Sequence, residues 1–308
     1  MIETNKNIFD PYILDFMRLI YVVFIPLLAL MASAQCQQTA GEWFDKGNAL
    51  SDQGKYNESI QAYDEAIMLD PNYADVWCNK GVALCDQGKY DEAIQAYDEA
   101  IRQDPNDAFA WYNKGNALYD QGKYSEAVRA YDEAIKLDPN DAPAWNNKGV
   151  ALCDQGKYDE SIQAYDEAIR LDPEDAFAWN NKGNALYGQG KYNESIQAYE
   201  EAIRLDPNYA KAWNNKGLAL DGQGKYDEAI QAYNKSLEID PEYAHAWNGK
   251  GNALYGQGKH NESIQVYDEA IRLDPNDALA WYNKGVALKA QGKYNESIQA
   301  YDEAIRLV

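Results

Sequence analysis

Apolar and small residues recur at helical spacing along residues 40–308, and the pattern itself returns every 34 residues. In one representative stretch Trp111, Gly115 and Leu118 stand at i, i+4 and i+7, which puts them on one face of a helix. A second stripe follows Gly122: Val128, Tyr131, Ala134 and Ile135. All eight tryptophans keep the interval: Trp43, Trp77, Trp111, Trp145, Trp179, Trp213, Trp247 and Trp281. A fixed period of this size predicts stacked helical hairpins, each too small to bury its apolar face alone.

With Trp set at position 4, the units run 40–73, 74–107, 108–141, 142–175, 176–209, 210–243, 244–277 and 278–308. The first helix of each is expected over about positions 1 to 14. Glycine at position 15 (Gly54 to Gly292) is placed to close it in a left-handed conformation. Position 18 holds only Asn, Asp or Ser, from Asn57 to Asn295, and reads as the N-cap of the second helix. A Glu follows in every unit, where a negative charge suits the helix start. Asp-Pro, as at Asp138-Pro139, then ends the second helix. Glycine at position 8 (Gly47 to Gly285) lies in mid-helix, where it costs about 1 kcal/mol against alanine. A cost repeated so often points to close approach of a neighbouring helix.

Residues 1–39 differ. Leu19 to Ala34 is uncharged and mostly apolar, preceded by Arg18, and Ala32-Ser33-Ala34 matches a signal-peptidase site. The run is shorter than the roughly 20 residues of a comfortable span. It reads as a cleavable export signal, with an uncleaved signal anchor to the membrane as the alternative. The array is therefore expected outside the cytoplasm, a cytoplasmic location being the other reading.

Formal net charge is −22 over 308 residues. Such a surface repels nucleic-acid phosphates and anionic headgroups and favours neutral to cationic partners. The four cysteines form no disulfide framework or metal-ligand spacing with His245 and His260, so no metal or cofactor is expected. The Gln-Gly-Lys-Tyr turns lack the spacing and the Ser/Thr of a phosphate loop. No nucleophile–base pair stands out from the repeat background, so no catalytic residues are expected.

Trp at position 4, Gly at 8, Leu at 11, Ala or Ser at 20, Tyr at 24, Ala at 27 and Pro at 32 resemble the tetratricopeptide repeat family over 40–308. Position 7 departs, with Lys (Lys46 to Lys284) where the family usually has Leu, so looser packing is expected there. The resemblance implies an all-α, right-handed superhelical solenoid of eight helix-turn-helix repeats. It also implies that positions 2, 5, 6, 9, 12 and 13 of the first helices face a concave groove. There stand Asn79, Asn113, Asn147, Asn181, Asn215 and Asn283 at position 6. Asn116, Asn184 and Asn252 hold position 9, and Tyr119, Tyr187 and Tyr255 hold position 12 of the same alternating units. An asparagine ladder of this sort suits the backbone of an extended peptide. The same residues read equally well as a solvated helix face. Asp at position 13 in the first four units, against Gly or Ala in the last four, predicts that a cationic segment prefers the N-terminal half.

The function expected is a non-catalytic scaffold that binds a peptide or partner protein. An envelope array assembling end to end and an accessory subunit of an enzyme complex are the alternatives. Five Asn-x-Ser sequons (Asn57, Asn193, Asn234, Asn261 and Asn295) would be glycan acceptors in an exported chain, though capping alone would account for four of them.

Overall fold

The computed structural model describes residues 38–308, so the export signal or anchor expected over Leu19–Ala34, and Cys36, lie outside the described residues. The described residues form sixteen helices in eight pairs. In chain order these are α1 (Ala40–Ser51), α2 (Tyr56–Leu69), α3 (Ala74–Asp86), α4 (Tyr90–Gln103), α5 (Ala108–Asp120), α6 (Tyr124–Leu137), α7 (Ala142–Asp154) and α8 (Tyr158–Leu171). There follow α9 (Ala176–Gly188), α10 (Tyr192–Leu205), α11 (Ala210–Gly222), α12 (Tyr226–Ile239), α13 (Ala244–Gly256), α14 (His260–Leu273), α15 (Ala278–Ala290) and α16 (Tyr294–Arg306). Odd-numbered helices open a hairpin and even-numbered ones close it. Packing divides the chain into two compact units at Pro105/Asn106. The first contains α1–α4 and the second α5–α16. Within each unit a closing helix packs on its own opening helix and on the next one. None of the described helices is long and apolar enough to cross a membrane.

The turn inside each hairpin follows from its glycine. Gly122 has φ +73°, and its N–H donates to Tyr119 O at 2.8 Å while Lys123 N–H donates to Leu118 O at 2.9 Å. This pair of bonds satisfies the last carbonyls of α5 and turns the chain back. The N-cap expected at position 18 is corrected. The closing helices start two residues earlier than that, with Lys at position 16 as N-cap (Lys55, Lys89, Lys123 and onward) and no side-chain cap. After the left-handed glycine the Lys carbonyl already accepts the first helical bond, as in Ser59 N–H to Lys55 O at 2.9 Å. Position 18 is thus inside the helix, and its side chain reaches along the stack to the position-14 glutamine of the next hairpin. Gln87 Nε2 donates to Asn57 at 3.0 Å, Gln189 to Asp159 at 2.7 Å and Gln223 to Asn193 at 2.8 Å. Side-chain caps do occur at opening helices, as at Asp141, which accepts from Ala144 N–H at 3.1 Å.

The mid-helix glycines make room for an aromatic ring. A Cβ on Gly149 would lie 2.6 Å from Tyr165 Cε1, and every position-8 glycine faces the position-24 tyrosine of its own hairpin in this way. Those tyrosines are almost wholly buried from Tyr63 to Tyr267. The tryptophans hold the joints between hairpins: Trp77 Nε1 donates to Pro71 O at 3.0 Å and Trp145 Nε1 to Pro139 O at 3.2 Å.

The looser packing expected at position 7 is also corrected. Lys182 Nζ lies 5.3 Å from the Trp179 ring centre and 2.6 Å from Asp166 Oδ1 of the preceding hairpin. Lys80–Asp64, Lys148–Asp132, Lys216–Glu200 and Lys284–Asp268 repeat the arrangement at 2.6 to 2.8 Å. A long cation on an aromatic face gains both the ring and the carboxylate, which a leucine would not. Lys250 departs from this arrangement, because Asn234 stands where the acid would be.

Candidate functional site

The site expected from sequence lies on the opening helices, and the structure first shows what their polar side chains already do. Asn147 Nδ2 donates to Asn116 Oδ1 and to Tyr112 Oη, each at 3.0 Å. Asn215 Nδ2 donates to Asn180 Oδ1 at 3.0 Å and Asn184 Oδ1 at 3.1 Å. Asn181 reaches Asn146 Oδ1 at 3.2 Å and Asn283 reaches Asn248 Oδ1 at 3.1 Å. In the first unit Asn79 donates to Asn48 Oδ1 at 2.9 Å. Asn113 turns back to Phe109 O of its own helix at 2.9 Å. Apart from Asn113, the position-6 amides named here therefore tie one hairpin to the one before it.

Position 9 completes the network. The buried hydroxyls of Tyr131, Tyr199 and Tyr267 donate to Asn116, Asn184 and Asn252 at 2.8 to 2.9 Å. Burial pushes all three phenols well above the usual tyrosine range. The two-hairpin alternation at position 9 thus marks which buried tyrosines have an amide partner. Where position 9 is apolar, position 12 brings a different group: Cys85 Sγ is 3.7 Å from Tyr97 Oη.

Position 12 tyrosines are more open. Tyr119 packs on Tyr124, with ring centres 5.3 Å apart, and donates to Asp154 Oδ2 at 2.6 Å. Tyr187 packs on Tyr192 at 5.4 Å, and Tyr255 on His260 at 5.0 Å. The position-13 glycines accommodate such rings: a Cβ on Gly188 would strike Tyr158, and one on Gly256 would strike Tyr226. Asp154 is taken by Tyr119, so its carboxylate is not simply presented to a partner.

Sequence reasoning missed the apolar side chains that the fold leaves in water. Phe109 and Phe177, at position 2, are 57% and 62% exposed, and Leu279, Tyr282 and Tyr187 are exposed on the same set of opening helices. Their signal was an aromatic or leucine at position 2 of the third, fifth and eighth units, one residue off the buried stripe. The last hairpin exposes Tyr294, Ile298 and Ile305, at positions partly covered in hairpins that have a successor. On the other side of the hairpins lie shallow clefts of about 430–530 Å³, such as the one lined by Trp179, Lys182, Leu186 and Glu194. Lys182 of that cleft belongs to a lysine clamp.

Comparison with known proteins agrees with this architecture. A family model described as tetratricopeptide repeat matches residues 44–108, 112–176 and 180–244, and further models of the repeat match 251–292 and 278–307. No curated protein matches the chain. Among solved structures, MamA from Desulfovibrio magneticus is similar over 55% of this chain and 96% of its own, at 26% identity and a TM-score of 0.52. A tetratricopeptide repeat protein from Parabacteroides merdae is similar over 85% of this chain and 100% of its own, at 17% identity and a TM-score of 0.65. Yeast Tom70 is similar over 83% of this chain and 55% of its own, at 18% identity and a TM-score of 0.59. The last two are likenesses of fold alone.

Proposed function

The chain belongs to the tetratricopeptide repeat family, and from that premise we propose that it is a non-catalytic scaffold whose second unit, 106–308, binds an extended segment of a partner protein across its opening helices. Repeats of this kind typically act in protein–protein interaction. The observation that carries the reading is where the uncovered apolar side chains stand. Apart from those on and after α16, the large apolar residues exposed in this unit are Phe109, Phe177, Tyr187, Leu279 and Tyr282, all on opening helices. Aromatic side chains of this sort bring large contact area with little rotamer entropy to lose. The closing helices carry the paired charges instead, as in Arg170–Glu167 at 2.7 Å and Arg204–Glu201 at 2.7 Å.

In this reading the asparagine network sets the spacing of the opening helices, and the aromatics make the contact. Asn184, which is exposed, keeps an amide open to a ligand backbone. The test is selection of peptides from a random display library on the immobilised full chain. Phe109→Ser with Phe177→Ser should weaken the selected peptides at least tenfold while the melting temperature stays within a few degrees. Equal binding by the double variant would refute this placement of the contact. We also place the array outside the cytoplasm, on the strength of the residue pattern of Leu19–Ala34; unprocessed protein in the soluble cytosolic fraction would count against it.

A further inference from the structure

The sixth hairpin, α11 with α12, departs from its neighbours at several linked places. Position 12, Tyr or Cys in the three preceding hairpins, is Asp221. Its Oδ1 is shut away from solvent and has no hydrogen-bond partner. Tyr233, wholly buried in the same hairpin, also has an unpartnered hydroxyl, because Leu218 replaces the asparagine that serves Tyr131 and Tyr199. Burial first, and the charge of Asp221 after it, raises the phenols of Tyr187, Tyr233 and Tyr267, and Tyr187 holds on the preceding opening helix the position that Asp221 holds on α11. Burial in turn pushes the Asp221 carboxyl above the usual carboxylate range. Among the described residues no lysine or arginine forms an ion pair with it.

The contrast with the third and fourth hairpins shows what is different. There Tyr119 gives its hydroxyl to Asp154, so phenol and carboxylate satisfy each other. In the sixth hairpin position 13 is Gly222, over which the Tyr192 ring lies. Tyr187 therefore has no such acid to bond, and its ring stays 36% exposed beside Asp221. A carboxylate partly out of water, without a counter-charge, next to an open aromatic face is complementary to a cation.

We propose that Asp221 and the Tyr187 ring form a subsite for one basic side chain, arginine or lysine, of the segment held on the opening helices of 106–308. The subsite rests on the scaffold reading above and adds a specificity to it. The cation lies on the Tyr187 face and pairs with the Asp221 carboxylate, and the chain's overall charge of −22 steers it there. Asp154, engaged by Tyr119, contributes no equivalent subsite. The unpaired acid of this subsite lies in the C-terminal half of the array, where position 13 carries no Asp.

The experiment uses peptides selected on the full-length wild-type chain and synthesised as pairs, one with its basic residue intact and one with citrulline, which keeps the shape of arginine without its charge. Citrulline should weaken binding to wild type about tenfold, the effect of about 1.4 kcal/mol. Asp221→Asn, an isosteric change confirmed as folded by its melting curve, should bind both members of a pair alike, and Tyr187→Ala should reduce the difference. Asp154→Asn should keep it. Binding of the basic member should fall on acidification, as Asp221 takes up a proton, while the citrulline member stays level. Selected peptides without basic residues, a citrulline twin that binds wild type equally, or undiminished discrimination by Asp221→Asn would each overturn the subsite and leave the scaffold standing. Selection of no peptide at all would overturn both.

Discussion

Gly149 is where a single atom decides the packing. Its Cα faces the Tyr165 ring so closely that a methyl group would sit 2.6 Å from Cε1. Helix propensity alone favours alanine there by about 1 kcal/mol. The buried ring has no room to retreat, and overpacking of this kind costs about 1–3 kcal/mol. Gly149→Ala should therefore lower the urea midpoint in spite of its better propensity, and Gly149→Leu should do so more strongly and increase the hydrodynamic radius. An unchanged unfolding curve for both would sink the steric explanation. The expectation from sequence was right in kind, close approach of a neighbouring helix, but it did not name the ring. Tyr165 is 16 residues away, and only the hairpin turn brings it back against Gly149.

The joints between helices are built from side chains that a single hairpin leaves idle. Lys216 lies over Trp213 in its own helix and reaches Glu200 in the closing helix before it. Lys250 lies over Trp247 at 5.3 Å and faces Asn234, and burial pushes its ammonium down from the usual lysine range. Asn234→Asp should supply the missing partner. Pairs this exposed contribute about 0.2–1 kcal/mol, so the melting temperature should rise by a degree or two at low ionic strength, with the gain shrinking in high salt. A loss of stability, or a gain indifferent to salt, would refute the clamp. The asparagine ladder shows a gap at the same joint. Gly249 replaces the position-6 asparagine, and Asn214 Oδ1, which the preceding repeats would satisfy from that position, is left buried without a partner. A side chain at 249 would require the Tyr233 ring to shift, since its Cβ would lie 2.5 Å from Tyr233 Cε1.

At the scale of the molecule each hairpin depends on its neighbours for most of its core. Tyr233, Ala229 and Leu237 of the sixth hairpin share one cluster with Ala246, Ala253 and Trp247 of the seventh. An isolated peptide of residues 142–175 should thus be largely unfolded by circular dichroism, and extension by flanking hairpins should raise helicity per residue, as nearest-neighbour coupling requires. A lone hairpin that melted as high as the full chain would contradict this. The family and the all-α fold were legible in the spacing of tryptophan, glycine, tyrosine and proline, because those residues answer to local geometry repeated without interruption. The candidate site was legible only in part. Position 12 tyrosines were recognised, but exposed Phe109 and Phe177 were not, nor was Asp221, which looks like one more surface acid in a strongly acidic chain.

Sequence by itself determined the hairpin: where each opening helix begins, which glycine turns the chain, and that the unit repeats. These depend on backbone conformation and on contacts within a few residues, which periodicity reports directly. Tertiary structure alone decided the partners of the polar side chains. Position 18 ties hairpins together instead of capping a helix, Lys182 clamps Asp166, and Asn215 bonds to Asn180 and Asn184. The reason is geometric: a repeat says that a side chain recurs on the same face of its helix. Whether that face meets solvent or the adjoining hairpin depends on how one hairpin is inclined against the next, which no single repeat encodes.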